Sequence, residues 1–176
     1  MKITQPGSHL DQMLRQTRWH HVQLSSMADM KANMLLTISS VLITLSVRYV
    51  TEPPSRWAAS TLVLFCLLTI LLSAYSVMPK LPLALRAGPP PNPESDTFNL
   101  LFFGDFMRLS YPEFEQAMEK VMNDHNLAYE AQVRDLYLLG IFLARKKYRF
   151  VRLAYLSFTL GFLCSGIVLL STAKLA

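Results

Sequence analysis

Two stretches of this chain are free of charge for long enough to cross a lipid bilayer, and a third nearly so. That feature decides what the chain can fold into. Trp57 to Met78 and Leu153 to Ala173 contain no charged residue. At about 1.5 Å of rise per residue, a helix of either length reaches across a hydrocarbon core roughly 30 Å thick. The run Ala32 to Val47 is shorter. It becomes long enough when Arg48 extends its head outward and Tyr49 sits at the headgroup level. Trp57 is a matching interfacial anchor at the start of the second span. Composition agrees: 52% of residues are hydrophobic and 16% charged, against about 25% charged in soluble domains. The expected fold is an all-α membrane protein with three transmembrane helices, at 32–50, 57–78 and 153–173. An amphipathic arm occupies 1–31, and a helical segment occupies 79–152. Residues 1–31 show no short apolar core before a cleavage signal, so the first span is expected to stay as an anchor.

Orientation follows from the basic residues. Of 17 Lys and Arg, all but Arg48, Arg56 and Lys174 lie in the arm or in 79–152. Three spans put those two regions on one side, and the positive-inside rule makes that side the cytoplasm. The net charge of +5 suits an anionic lipid surface or a phosphate-bearing ligand.

Local signals divide the polar regions further. Residues 9–31 read as a helix running into the first span. Thr51-Glu52-Pro53-Pro54-Ser55 is a tight turn. Pro79 and Pro82 end the second helix, and Arg86 to Pro93 is a stiff, extended linker. Ser110 and Glu113 form a capping box that starts a helix reaching about Asn123. From Asn126 onward no proline interrupts the chain. One long helix is therefore expected to pass through Arg145, Lys146, Lys147, Arg149 and Arg152 into the third span, with Gly140 as its weak point.

Polar residues recur at helical spacing inside the spans. Asn33, Thr37, Ser40 and Thr44 share one face of the first, which Ser26 and Asp29 extend. Cys66, Thr69, Ser73 and Ser76 do the same in the second, and Ser157, Gly161 and Ser165 in the third. Helix packing explains such faces, because small and hydroxyl residues let helices approach and bond across in lipid. For Asn33 and Thr37 a second reading stands beside it, a polar path lined when several copies assemble. Asp29 and Lys31 at the membrane entry are either an interfacial anchor pair or ligand contacts. The 145–152 cluster faces lipid phosphates or holds a ligand phosphate.

No catalytic motif is present: no G-x-S-x-G, no H-E-x-x-H and no Walker A run. Cys66 and Cys164 lie far from any metal-ligating side chain and read as small buried hydrophobes. Neither an enzyme, a metal site nor a cofactor is expected.

Ala28-Asp29-Met30-Lys31-Ala32-Asn33 leads directly into a span. Phe103-Gly104-Asp105-Phe106-Met107-Arg108-Leu109-Ser110-Tyr111 follows the second span. Ala144-Arg145-Lys146-Lys147-Tyr148 enters the last one. In this order, from about Arg15 onward, the chain resembles the Pycsar-type transmembrane effectors of bacterial anti-phage defence; the proline-rich 86–93 stretch departs from that pattern. The resemblance implies a partner cyclase that makes a cyclic pyrimidine mononucleotide (cUMP or cCMP). The effector would sense that messenger, impair the inner membrane and arrest growth or abort infection. The expected partners are the messenger, membrane lipids and further copies of the chain in a homo-oligomer, with no nucleic acid. The expected location is the inner membrane, with the N-terminus and 79–152 cytoplasmic.

A site for such a ligand combines a cation, a backbone turn and an aromatic face. Phe103, Gly104 and Asp105 offer the turn, Arg108 and Arg134 the cations, and Tyr137 or Phe106 the stacking surface. A helix-entry turn packed on the long helix is the plainer account of Phe103-Gly104-Asp105. The other class of function compatible with these residues is a constitutive oligomeric scaffold or small channel subunit without a nucleotide ligand.

Overall fold

In hydrocarbon the backbone has no water to bond to, so apolar spans must satisfy their own amides as helices. The computed structural model, which describes residues 1–53, 55–78, 92, 95 and 98–175 with side chains through Thr172, is helical accordingly. Helix α1 spans Ser8–Ser46 and tightens into a 3₁₀ turn at Val47–Val50. Helix α2 spans Arg56–Val77. Then come the one-turn α3, Phe103–Phe106, and the helices α4, Tyr111–Asn123, and α5, His125–Phe142. A π-helical turn at Leu143–Tyr148 leads into α6, Arg149–Leu175. No strand occurs among the described residues. The stretches long and apolar enough to cross a membrane lie within Ser8–Val50, Arg56–Val77 and His125–Thr172. Pro54, Pro79, Pro82 and the Arg86–Pro93 linker (Asn92 apart) lie outside the described residues.

The chain divides into two compact units. The apolar unit comprises Leu24–Met78 and the described part of Phe142–Ala176. One buried cluster uses alanine: Ala28 and Ala32 of α1 are fully buried against Val151 of α6, with Val77 and Tyr148 around them. Between α2 and α6 a close approach falls at Gly161. A Cβ there would lie 2.5 Å from Phe65 Cβ, so glycine is what lets the helices meet. Ser157 and Ser165, one turn to either side, donate to the carbonyls of Phe65 (3.2 Å) and Ala58 (2.9 Å). The Ser157–Gly161–Ser165 face is thus a packing surface. Cys66, Thr69, Ser73 and Ser76 also point inward and are buried.

The α1 stripe behaves differently. Ala28, Ala32, Leu35 and Ser39 form the buried side of α1, whereas Asn33, Thr37, Ser40 and Thr44 are exposed. Three of their hydroxyls bond back to their own helix: Thr37 to Asn33 O (3.0 Å), Ser40 to Leu36 O (2.8 Å) and Thr44 to Ser40 O (3.0 Å).

The polar unit comprises Met1–Gln23 and the described part of Pro79–Ile141. The arm is tied to α5 by Tyr129 Oη donating to Asp11 (2.7 Å) and by Ile3 N donating to Asn126 Oδ1 (2.8 Å). The capping box forms as its sequence predicts. The Glu113 carboxylate accepts from the Ser110 backbone N–H at 2.8 Å and from the Ser110 hydroxyl at 2.7 Å. Asp124 then separates α4 from α5 and accepts from Asn126 N (2.8 Å).

One expectation about the long helix needs correction. Regular α-helix passes through Gly140, and the irregularity comes instead at Leu143–Tyr148, within the basic cluster. Glycine in a helix costs only about 1 kcal/mol, which neighbouring turns can bear. The wide turn is held from outside: the Lys147 carbonyl accepts from Ser76 Oγ (3.3 Å), and Tyr148 Oη donates to Leu24 O (3.1 Å). Such π turns are rare and occur frequently at functional sites.

Candidate functional site

In the polar unit, Asn99 organises the segment that precedes α3. It interrupts an apolar run from Phe98 to Phe103 and is nevertheless buried. Buried amides must find partners, and Asn99 finds several. Its backbone N–H donates to Asp105 Oδ2 (2.9 Å), its Nδ2 to Asp135 Oδ1 (2.9 Å), and its Oδ1 accepts from Leu101 N (3.0 Å). Arg18 on α1 approaches the other Asp135 oxygen at 3.4 Å. One amide thereby joins α3 to α5, and the carboxylate it meets is neutralised by the arm.

Beside this hub lies a cavity of about 780 Å³ lined by Phe98, Asn99 and Leu100, by Gln116 and Lys120 of α4, and by Leu127, Glu130 and Arg134 of α5. Small-molecule sites fall in the range of about 300–1,000 Å³. Arg134 closes one side. Its Nη1 donates to Ser95 O (3.0 Å) and Phe98 O (3.4 Å), and its Nη2 lies 3.3 Å from Glu130 Oε1. Glu130 is held below the usual carboxylate range, first by a hydrogen bond from the Met1 amino group and also by Arg134. Glu113, at another edge of the cavity, is lowered by the Ser110 hydroxyl and backbone N–H.

Of the six residues proposed from sequence as ligand contacts, Arg134 alone lines this cavity. Asp105 reaches it indirectly, since its carboxylate is occupied by the Asn99 backbone. Gly104 is buried in α3, while Phe103, Arg108 and Tyr137 are exposed. Phe106 packs on Phe114, with ring centroids 4.9 Å apart. The sequence reading missed Asn99. Its signal was an amide inside an aromatic and leucine run, where an unpaired polar group is too costly to keep.

In the apolar unit, Asp29 is the centre of a second arrangement. Its partner is Lys147 of the π turn, Nζ to Oδ2 2.6 Å, and not Lys31, which is exposed. Lys147 Nζ also donates to Ser25 Oγ at 2.7 Å, so its ammonium is well satisfied. With its side chain 12% exposed, Lys147 is drawn into the protein, whereas Arg145 and Lys146 beside it stay exposed. The other Asp29 oxygen, Oδ1, is buried and has no partner among the described residues. Asp29 also opens onto a shallow groove of about 570 Å³ along α1, which includes Ser26, Asn33 and Thr37. Among the described residues no group of His, Cys, Asp and Glu is arranged to hold a metal ion.

Comparison with known proteins adds a family. No curated protein and no solved structure matches the chain. The family model for the Pycsar effector protein domain matches residues 12–172, which takes in all three apolar helices and both arrangements just described. That family comprises membrane effectors activated by a cyclic nucleotide from a partner cyclase, and it is not a known enzyme family. The chain therefore belongs to the Pycsar effector family, and it is a membrane effector of anti-phage defence.

Proposed function

We propose that this effector binds a cyclic pyrimidine mononucleotide, cUMP or cCMP, in the cavity beside Arg134, and that binding leads to loss of inner-membrane integrity. The observation that carries this reading is a cavity of about 780 Å³ with two cations, Lys120 and Arg134, on its wall, in a family whose activator is a cyclic nucleotide. The ligand's single phosphate takes the cationic side. Glu119, Glu130 and Gln116 accept from or donate to the ribose hydroxyl and the edge of the base. Asp105 positions Asn99 rather than touching the ligand. The N-terminus and residues 79–152 are cytoplasmic in this reading, which puts the cavity in the compartment where a cyclase product accumulates.

Activation is a population shift. The nucleotide must bind one state, assembled or opened, better than the resting state, because equal affinity shifts nothing. The helical stretch from His125 into α6 connects the cavity wall to the last span in sequence, and we assign it the transmission.

The test is thermal unfolding of the detergent-solubilised chain against cyclic pyrimidine and purine mononucleotides. At 100 times its Kd a ligand stabilises by about 2.7 kcal/mol, a rise of about 5–10 °C for a chain of this size. A rise with one cyclic pyrimidine that Arg134→Ala abolishes is expected. The absence of any rise would refute sensing and leave a constitutive scaffold or channel subunit.

A further inference from the structure

We propose that the polar unit carries a second ligand site, a phosphate-monoester site between the arm and α5 built on Arg15 and Arg18. It is separate from the cavity beside Arg134, and the inference does not rest on the messenger.

A cavity of about 420 Å³ lies there, with Asp11, Arg15 and Arg18 of α1 on one wall and Gln132 and Asp135 of α5 on the other. Both carboxylates are engaged. Asp135 is buried, and its two oxygens meet Asn99 Nδ2 at 2.9 Å and Arg18 Nε at 3.4 Å. Asp11 stands four residues before Arg15, a spacing at which acid and base pair on a helix. It accepts instead from Tyr129 Oη at 2.7 Å, and Arg15 is exposed with no hydrogen bond or ion pair among the described residues. The donors are therefore in surplus. Arg18 meets Asp135 through Nε, so neither Nη of its fork has a partner among the described residues, and the Gln132 amide has none either.

The chemistry that fits is a tetrahedral oxyanion. Guanidinium forks take phosphate through paired N–H···O bonds. Arg15 and Arg18 lie three residues apart on one helix face, and two forks one turn apart call for more oxygens than a carboxylate has. A phosphate monoester brings three free oxygens and a charge of about −1.5 to −2; a cyclic diester brings two oxygens and one charge. Asp135 fixes half of the site, because it holds Arg18 by one edge while that side chain stays 54% exposed. Arg15 breaks no bond when it turns toward an anion. The two carboxylates offset the two guanidiniums in charge, so selectivity comes from directed bonds rather than attraction at a distance. A metal or ammonium ion is the poorer occupant, since each carboxylate already has a donor. Occupancy braces Arg18 on Asp135, and with it the Asn99 hub that borders the other cavity.

The experiment titrates the full chain, in phosphatidylcholine nanodiscs at constant ionic strength, with inorganic phosphate and with glycerol phosphate. Binding is read as saturable broadening of the probe's phosphorus resonance. Both probes are expected to bind the wild type. Arg15→Gln should weaken binding about ten-fold, the loss of one charge-assisted contact. Arg15→Lys, which keeps the charge without the fork, should fall between the two. Arg134→Ala should leave binding unchanged. Repeating the titration in nanodiscs that contain phosphatidic acid, a monoester lipid, identifies the source: binding that persists marks a soluble phosphate compound, and binding that the lipid displaces marks a headgroup. The inference is overturned if neither probe binds in phosphatidylcholine, if Arg15→Gln binds as the wild type does, or if Arg134→Ala abolishes binding. A missing thermal shift with cyclic nucleotides would refute the messenger and leave these results unchanged.

Discussion

Removing either partner of the Asp29–Lys147 pair should destabilise the protein unequally, and removing both should cost much less than the sum. At 2.6 Å, with an effective dielectric constant of about 20, the gross attraction is about 6 kcal/mol. Desolvation takes back several kcal/mol per ion, more for the ion deeper in the protein. The Lys147 side chain is 12% exposed and that of Asp29 33%, so the lysine carries the larger penalty. Asp29→Ala strands the ammonium with only Ser25 as partner and should cost about 3–5 kcal/mol. Lys147→Met strands a carboxylate that is about a third exposed, and should cost about 1–3 kcal/mol. The double variant leaves no unpaired charge, so a coupling of about 2 kcal/mol or more is expected. Equilibrium unfolding in detergent micelles, run as a double-mutant cycle, measures it. Costs that add to within about 0.5 kcal/mol would show that the two groups do not act as a pair.

Gly161→Ala forces a methyl group to within 2.5 Å of Phe65 Cβ and should cost about 1–3 kcal/mol in unfolding experiments. Gly166→Ala, where no described residue lies within 4 Å, should be neutral or mildly stabilising; equal effects at the two sites would contradict the packing described for α2 and α6. Asn99→Ala deprives Asp135 of its buried donor and should lower stability by about 1–3 kcal/mol, read as a fall in Tm; an unchanged Tm would remove Asn99 as the hub. The Glu113 carboxyl is held below the usual range by Ser110. The contribution of its charge to α4 is therefore complete above the unfolded value, about 4.3, and is lost as the pH falls through the lower folded value. The stability gap between wild type and Glu113→Gln should close over that acid range, and a gap that persists below it would refute the capping role.

The spans were legible because their cause is local. Uncharged runs and flanking prolines mark α2 as 57–78, and the structure gives Arg56–Val77. The helical arm expected over 9–31 is the first part of Ser8–Ser46. The capping box is a four-residue signal and formed as written. The π turn could not be read in this way. Leu143 to Tyr148 contains neither proline nor glycine, and what holds the turn open comes from Leu24, Ser25, Asp29 and Ser76, remote in sequence. The same holds for the cavity. Its wall joins Arg134 to a carbonyl of Phe98, which no spacing rule connects. Nor does spacing connect the Asp105 carboxylate to the backbone N–H of Asn99 that it accepts from.

Apart from the Lys147 contacts with α1, the side-chain bonds that join helices in the apolar unit, among the described residues, share a direction. Ser157, Ser165, Ser76 and Tyr148 all donate hydroxyls, and all four acceptors are main-chain carbonyls, of Phe65, Ala58, Lys147 and Leu24. A peptide carbonyl survives any substitution of the residue that bears it. Mutational tolerance across these contacts should accordingly be one-sided. The acceptor positions can drift in sequence so long as bulk is respected, while the donor positions cannot lose their hydroxyl without losing the bond. A saturation library would record this as columns at Ser157 and Ser165 that keep the hydroxyl, facing columns at Phe65 and at the buried Ala58 that are limited by bulk alone. Such a pattern would hide the pairs from any search for residues that change together.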